Sequence, residues 1–168
     1  MVALAPFAQA ACNGFPPTPA QIGGTHFKAS PPRRSVVESG MKGTRVILNG
    51  YVRTIDCKAV RGARIDFWQA DVNGVYDDSG TRLRSHQFTD AQGRYTLATI
   101  IPGPYANRAP HVHTTVHARG LRSVTTMLYF PGAPRNVTDP FFDRRLLVRL
   151  RQVGHRFIAR FDFVLRKP

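Results

Sequence analysis

Hydrophobic and polar positions along the chain fall into a period of two from Thr44 onward. Val46, Leu48 and Val52 alternate with Ile47, Asn49 and Tyr51, as expected for a strand with one face buried, because successive side chains leave a strand on opposite sides. Similar runs recur at Arg64–Gln69, Arg94–Thr99, His111–Ala118, Val124–Phe130 and Arg156–Leu165. In the last run, Phe157, Ala159, Phe161, Phe163 and Leu165 share one face. Turn-forming residues separate the runs at Asp56, Asn73-Gly74, Ser79-Gly80, Asp90-Ala91-Gln92-Gly93 and Pro102-Gly103-Pro104. One stretch has a helical period instead. Asp139-Pro140 supplies a cap and a first-turn proline, and Phe142, Leu146 and Leu150 follow at i, i+4 and i+8, with Arg144, Arg145, Arg149 and Arg151 on the other face. The pattern predicts a mainly β fold, an antiparallel β-sandwich of about seven short strands with one short late helix.

Residues 1–40 follow neither period. Residues 13–40 are rich in Pro, Gly and Ser, with Phe15-Pro16-Pro17-Thr18-Pro19 and Ser30-Pro31-Pro32-Arg33-Arg34. They predict an extended arm, leaving residues 41–168 as the folded domain. Met1–Ala11 is apolar, and Ala8-Gln9-Ala10 has the A-x-A form of a signal-peptidase site, although no positive segment precedes it. This favours a remnant of an export signal, and hence a periplasmic or extracellular location over the cytoplasm. Cys12 and Cys57 are the only cysteines; they would pair in an exported protein and stay free thiols in a cytosolic one. No Cys-x-x-Cys or Cys-His cluster exists, which excludes a structural zinc site.

Composition narrows the picture only slightly. The 168 residues suit one domain, and a hydrophobic fraction of 42% is enough for a real core. No apolar run approaches the roughly 20 residues of a membrane-spanning helix. The net charge of +14 comes mostly from 20 arginines against 4 lysines, and it permits an anionic surface or polymer, anionic small molecules or nucleic acid. A single-strand binder would interleave aromatics with its basic residues, and the Arg144–Arg151 group lacks them. Nucleic acid is therefore not an expected partner.

Chemistry concentrates between residues 67 and 113. His111 and His113 stand at i, i+2 in a strand, so both imidazoles project from one face, a common start for a metal site. Glu38 is the only glutamate and positions 114–118 hold no acid, which argues against a cupin-type or two-His-one-carboxylate centre. A copper site would recruit His86, His117 or His155. The nearest further donors are Tyr105, six residues before His111, and Tyr76 after Phe67-Trp68-Gln69-Ala70. Two phenolates and two neutral imidazoles suit Fe(III), a hard ion able to ionise phenols far below their free pKa of about 10.

Residues 43–166 resemble the intradiol ring-cleavage dioxygenases, non-haem Fe(III) enzymes that open catechols. The resemblance is carried by Gly50-Tyr51-Val52, Gly62-Ala63-Arg64-Ile65, Phe67-Trp68-Gln69-Ala70 and Gly74-Val75-Tyr76. It continues in Thr89-Asp90, Gly93-Arg94-Tyr95, Pro102-Gly103-Pro104-Tyr105, Arg108, His111-Val112-His113, Leu128-Tyr129-Phe130 and Arg160-Phe161-Asp162-Phe163-Val164-Leu165. It implies that Tyr76, Tyr105, His111 and His113 ligate Fe(III). It further implies that Tyr105 is the axial ligand that leaves when a catechol binds, that Tyr76 stays, and that Arg108 stabilises charge developing on the ring while O2 attacks. The product would be a cis,cis-muconate-type diacid. Two departures stand out. Ala109-Pro110 inverts the usual Pro-Ala order, and Met127 stands where many members carry Gln. The short Tyr105-to-His111 spacing resembles the small, often exported bacterial subgroup, and the helical dimerisation segment of the catechol and hydroxyquinol enzymes is missing.

Transthyretin-like and carboxypeptidase-regulatory-like sandwiches share the Gly-x-Val, Gly-Ala-x-Ile, Thr-Asp-x-x-Gly-x-Tyr and Pro-Gly-x-Tyr elements, as strand and turn residues of non-catalytic modules. In such a module Tyr105 would close a corner, Trp68 would be core and the two histidines would be incidental. Four metal donors together with Arg108 favour the enzyme.

Overall fold

The computed structural model describes residues 14–168. Ala8-Gln9-Ala10 and Cys12 lie outside the described residues; Cys57 is disulfide-bonded. Among the described residues nine strands form two sheets: β1 (Arg45–Thr54), β2 (Arg64–Gln69), β3 (Arg84–Phe88), β4 (Arg94–Ile100), β5 (His111–His117), β6 (Val124–Tyr129), β7 (Arg149–Val153), β8 (Arg156–Arg160) and β9 (Phe163–Leu165). One sheet runs β4-β1-β8-β7, with β9 also on β1, and the other runs β3-β2-β5-β6. Neighbours are antiparallel except that β8 and β9 lie parallel to β1. The mainly β sandwich expected from the alternation is the fold. No helix among the described residues is long and apolar enough to cross a membrane.

The core lies between the sheets because the period-two pattern sends Val46, Leu48 and Val52 of β1 toward Ile65 and Phe67 of β2, Val112 and Val116 of β5 and Leu128 of β6, all nearly fully buried. The single long run read at its C-terminal end breaks at Phe161-Asp162 into β8 and β9. There Phe161 donates its N–H to the Asn49 carbonyl, and its own carbonyl accepts from the Tyr95 hydroxyl at 2.7 Å.

The helix expected from Asp139 to Leu150 does not form. Two short 3-10 turns, Pro134–Val137 and Arg144–Leu146, stand in this region, and Arg149–Val153 is strand β7. Asp139 is taken up elsewhere, its carboxylate accepting from Arg108 Nε and Ala109 N as well as Phe141 N. The i, i+4, i+8 spacing arises because Phe142, Leu146 and Leu150 all pack on the same core, the first two from turns and the third opposite Ala159 in a ladder. Local periodicity yielded to tertiary pairing.

The two outward sheet faces differ. On the five-stranded sheet, alternation places Arg45, Arg53, Arg149, Arg151, Arg156 and Arg160 outward. Arg45 and Arg156 pair with Glu38, while Arg53 and Arg160 lie over the Tyr51 ring at 4.5 and 5.1 Å. On the four-stranded sheet the outward Trp68, Arg84, His111, His113, Met127 and Tyr129 are themselves buried where the arm crosses that face, while Phe88 and His117 at its end stay exposed. The arm donates backbone hydrogen bonds from Thr18 to Val164, Gln21 to Thr125, Arg34 to His86 and Val37 to Ala98. It thus runs from β9 across β6 and over to β3 and β4 without regular structure of its own.

Candidate metal centre

The register of the four-stranded sheet builds one half of the site. Arg84, Trp68, His113 and Met127 are cross-strand partners in a single row over β3, β2, β5 and β6, and His111 pairs with Tyr129 in a neighbouring row. As expected from their spacing, His111 and His113 share a face, with Nε2 atoms 3.0 Å apart. His111 Nδ1 lies 2.6 Å from the Ala109 carbonyl, which only accepts, so Nδ1 carries the proton and Nε2 is left with its lone pair. Trp68 stacks on His113 at 4.9 Å and 3° and fixes its plane.

Loops build the other half. Tyr76 follows β2 and Tyr105 precedes β5, and their loops interlock at a glycine crossing. A Cβ on Gly74, which has a φ of +78°, would stand 2.2 Å from the Pro104 carbonyl oxygen, and one on Gly103 would stand 2.2 Å from that of Val72. Only a residue without a side chain allows this approach. Asp71 fastens the crossing, its carbonyl accepting from Gly103 and Gly74 and its carboxylate accepting from Asn73 N and Val75 N. The crossing brings the Tyr76 and Tyr105 rings edge to face at 5.2 Å, with the Tyr76 hydroxyl 3.4 Å from His111 Nε2. Tyr76 is buried and Tyr105 half-buried.

Arg108 borders both halves. Its Nε donates to Asp139 at 2.8 Å and one amino group donates to the Tyr129 hydroxyl at 3.0 Å and to the Met127 sulfur at 3.2 Å. The guanidinium also lies over the Phe141 ring at 4.6 Å. Asp139 is fully enclosed and Arg108 nearly so, so the ion pair is one whose breakage would strand a charge.

Burial sets the protonation states. It lowers His111 to a pKa of about 4, and burial with the adjacent His111 lowers His113 to about 2, so both are neutral donors at neutral pH. Burial raises the Tyr76 phenol well above its ordinary range, so the phenolate exists here only beside a strong cation. Among the described residues no three His, Cys, Asp or Glu side chains cluster as a metal site, so the tyrosines must complete any cage around the histidine pair. The copper candidates do not join it. His86 faces the Pro31 carbonyl, His117 faces Ser123, and His155 is exposed in the turn between β7 and β8.

All five residues singled out from the sequence therefore meet on one face. Comparison with known proteins identifies the family. The sequence model of the family described as Dioxygenase matches residues 19–167. The chain belongs to the intradiol ring-cleavage dioxygenase family. It is 34% identical to the protocatechuate 3,4-dioxygenase β chain of Burkholderia cepacia over 154 residues, covering 74% of this chain and 65% of that one. It is 32% identical to a hydroxyquinol 1,2-dioxygenase of Rhodococcus opacus over 121 residues, covering 59% and 40%. The chain thus spans less than two thirds of these curated relatives. Among solved structures, the dioxygenase domain of a dioxygenase carbohydrate-binding protein fusion from Streptomyces sp. SirexAA-E superposes with a TM-score of 0.88 at 45% identity, covering 91% of this chain and all of that one. The 3-chlorocatechol 1,2-dioxygenase of Rhodococcus opacus 1CP gives 0.83 at 26%, covering 90% and 73%.

The family match begins inside the arm, and the arm supplies what sequence reading missed. His26 stacks on Tyr76, Gly24 abuts His113, and Gln21 packs its side chain against Tyr129 and Phe141. No periodicity marks these residues. Asp139 has the local sequence of a helix cap, and its partnership with Arg108 joins residues 31 apart in the chain.

Proposed function

We propose that this intradiol-family chain holds Fe(III) between Tyr76, Tyr105, His111 and His113 and uses it to cleave a catechol between its two hydroxylated carbons, with O2 as oxidant, to a cis,cis-muconate-type diacid. The observation that carries the proposal is that His111 Nε2 lies 3.0 Å from His113 Nε2 and 3.4 Å from the Tyr76 hydroxyl, with the Tyr105 ring edge to face with that of Tyr76. Two neutral nitrogens and two phenolates leave a trivalent ion with one positive charge uncancelled, which a hydroxide or a catecholate oxygen cancels. This lowers the cost of burying the charge. Bound there, Fe(III) supplies Lewis acidity toward a catecholate and redox access to O2.

The chain's own groups divide the remaining work. His111, locked by its Nδ1 bond, and His113, stacked under Trp68, keep their lone pairs directed at one point. Tyr105, the more exposed phenol, takes a substrate hydroxyl proton at its oxygen. Tyr76 stays in place. Arg108, held by Asp139, faces negative charge that develops on the ring and cannot swing away from it. The catechol and O2 together supply every atom of the diacid.

Purified iron-loaded protein should be burgundy through a phenolate-to-iron charge-transfer band. Colour that is absent, or that persists unchanged in a Tyr76→Phe/Tyr105→Phe double variant, removes the assignment. Oxygen uptake across catechol, protocatechuate, hydroxyquinol and lignin-derived catechols then names the substrate and excludes a non-catalytic binding module. The arginine face lies on the opposite sheet from this site, which supports retention on an anionic polymer more than steering of substrate. Salt should therefore elute the protein from a carboxylated matrix with little change in KM for catechol itself. The disulfide at Cys57 supports export to an oxidising compartment.

A further inference from the structure

His26 comes from the arm, yet it is built into the site. Its imidazole lies flat on the Tyr76 ring, centroids 4.1 Å apart and planes 1° from parallel, and meets the Tyr105 ring edge-on at 5.1 Å. Nδ1 lies 3.0 and 2.9 Å from the two carboxylate oxygens of Asp78. A carboxylate only accepts, so Nδ1 carries the proton. The buried Arg84 closes the circuit, donating one amino group to the His26 carbonyl, the other to Asp78 at 3.2 Å, and Nε to the Asp77 carbonyl at 3.0 Å. Backbone and side chain of one arm residue are thus fixed by the same guanidinium. Gly24 keeps the arm close: a Cβ there would stand 3.4 Å from His113 Cε1, at a φ of +72°. His26 Nε2 is enclosed without a partner among the described residues, a cost that a ring chosen only for packing would not carry.

We propose that His26 is a positioning residue for the metal centre: the Arg84–Asp78–His26 circuit holds an imidazole flat against Tyr76, so that this phenol keeps its place while Tyr105, touched only by ring edges, is the one free to leave. The inference deepens the Fe(III) reading above and rests on it. A neighbour that sets the orientation of a metal ligand acts on metal affinity and spectrum through that ligand, and His26 sets Tyr76 by stacking, with its own hydrogen bond going to Asp78. The two phenols of the site differ in this respect. Tyr76 has a flat, anchored neighbour on its ring face, and Tyr105 has rings only at right angles.

The test compares iron-loaded wild type with His26→Ala, His26→Phe and Asp78→Asn, recording the visible phenolate band, the rate of iron loss to a chelator, and kcat and KM for catechol. His26→Ala should shift the band and speed iron loss about 10- to 100-fold. His26→Phe, which keeps a flat ring, should recover part of that loss. Asp78→Asn, at an exposed carboxyl that does not endanger folding, should shift the band in the same direction by less. Thr18→Val cuts a different arm anchor, the 2.8 Å bond that its hydroxyl accepts from Val164 N, and should keep the wild-type band and release rate. An unchanged band and release rate in both His26→Ala and Asp78→Asn overturns the proposal. So does an equal shift in Thr18→Val, which would make His26 one strap among several. Wild-type protein that takes up iron without any phenolate band overturns the tyrosine assignment itself, before His26 enters.

Discussion

The two halves of the site are made differently. The histidine half belongs to a sheet: His111 and His113 inherit their positions from the register of β5 against β2 and β6, with Trp68 and Met127 in the same row. The tyrosine half belongs to loops, and its geometry depends on a glycine crossing, an Asp71 turn and an arm residue distant in sequence. A ladder fixes many positions with one register, whereas a loop pair must be fixed contact by contact. The rigid half therefore presents the two neutral nitrogens, and the adjustable half presents the two phenols, one buried and one half-buried.

The largest expected effect breaks the loop half alone. Gly74→Ala puts a Cβ into the Pro104 carbonyl at a φ that L residues avoid, and should cost about 4 kcal/mol of stability, near the top of the range for single changes. A thermal melt and the visible spectrum read it out. The melting temperature should fall by more than about 10 °C and the phenolate band should vanish, while the secondary structure seen by circular dichroism at low temperature persists. A wild-type melt and colour would show that the crossing is not what holds the phenols.

Asp139→Ala attacks the seam between the halves and should cost about 3 kcal/mol, because it leaves the Arg108 charge enclosed without its partner and removes the acceptor for Ala109 N, two residues before His111. Urea unfolding gives the number. Adding Arg108→Met should return much of the stability without returning activity. If the double variant is no more stable than Asp139→Ala, the cost lies in the lost backbone bond and not in the stranded charge.

How much of this was legible follows the same division. Alternation placed six strand runs and put His111 and His113 on one face, because period-two information is local. It missed β3, where Arg84-Ser85-His86-Gln87 holds no apolar alternation, and β7, whose Leu150 reads equally well as part of a helical stripe. The tyrosines were legible only through their order along the chain. Nothing local to Tyr76 says that Gly74 meets Pro104, or that His26 lies fifty residues upstream on its ring. The +14 charge was legible as a number and not as a place, since the outward arginines of the five-stranded sheet become a face only once β1, β8 and β7 are neighbours.

The pH dependence sharpens the histidine half. Both imidazoles are held below the unfolded value, His111 to about 4 and His113 to about 2, so below pH 6.5 the unfolded chain binds protons that the native one does not. Metal-free protein should therefore lose stability as pH falls from 6.5 toward 4, by on the order of 1 kcal/mol per pH unit for each group, and should be insensitive to these groups above 7. Denaturant midpoints between pH 5 and 7 measure the slope. Changing both histidines to Asn should flatten it; an unchanged slope would place the titrating groups elsewhere.

The smallest effect on stability is expected at Met127, which belongs to both halves. It sits opposite His113 in the ladder and is fully buried, yet its sulfur accepts from Arg108 at 3.2 Å and lies 3.9 Å from the Tyr129 hydroxyl. Met127→Gln nearly conserves side-chain length and should change stability by less than about 1.5 kcal/mol. Its amide oxygen is a stronger acceptor for Arg108 than a thioether, and its amide NH2 is a donor that the thioether lacks. The substitution should therefore act on chemistry and not on folding. Because the new donor faces the region bordered by Arg108, the KM for O2 and kcat should change severalfold while the KM for catechol stays within about twofold, since substrate seating depends on the phenols of the loop half. Steady-state oxygen uptake at varied O2 and varied catechol separates these quantities. A change confined to the KM for catechol would assign Met127 to substrate fit, and would mean that the strand half does more than hold two nitrogens in register.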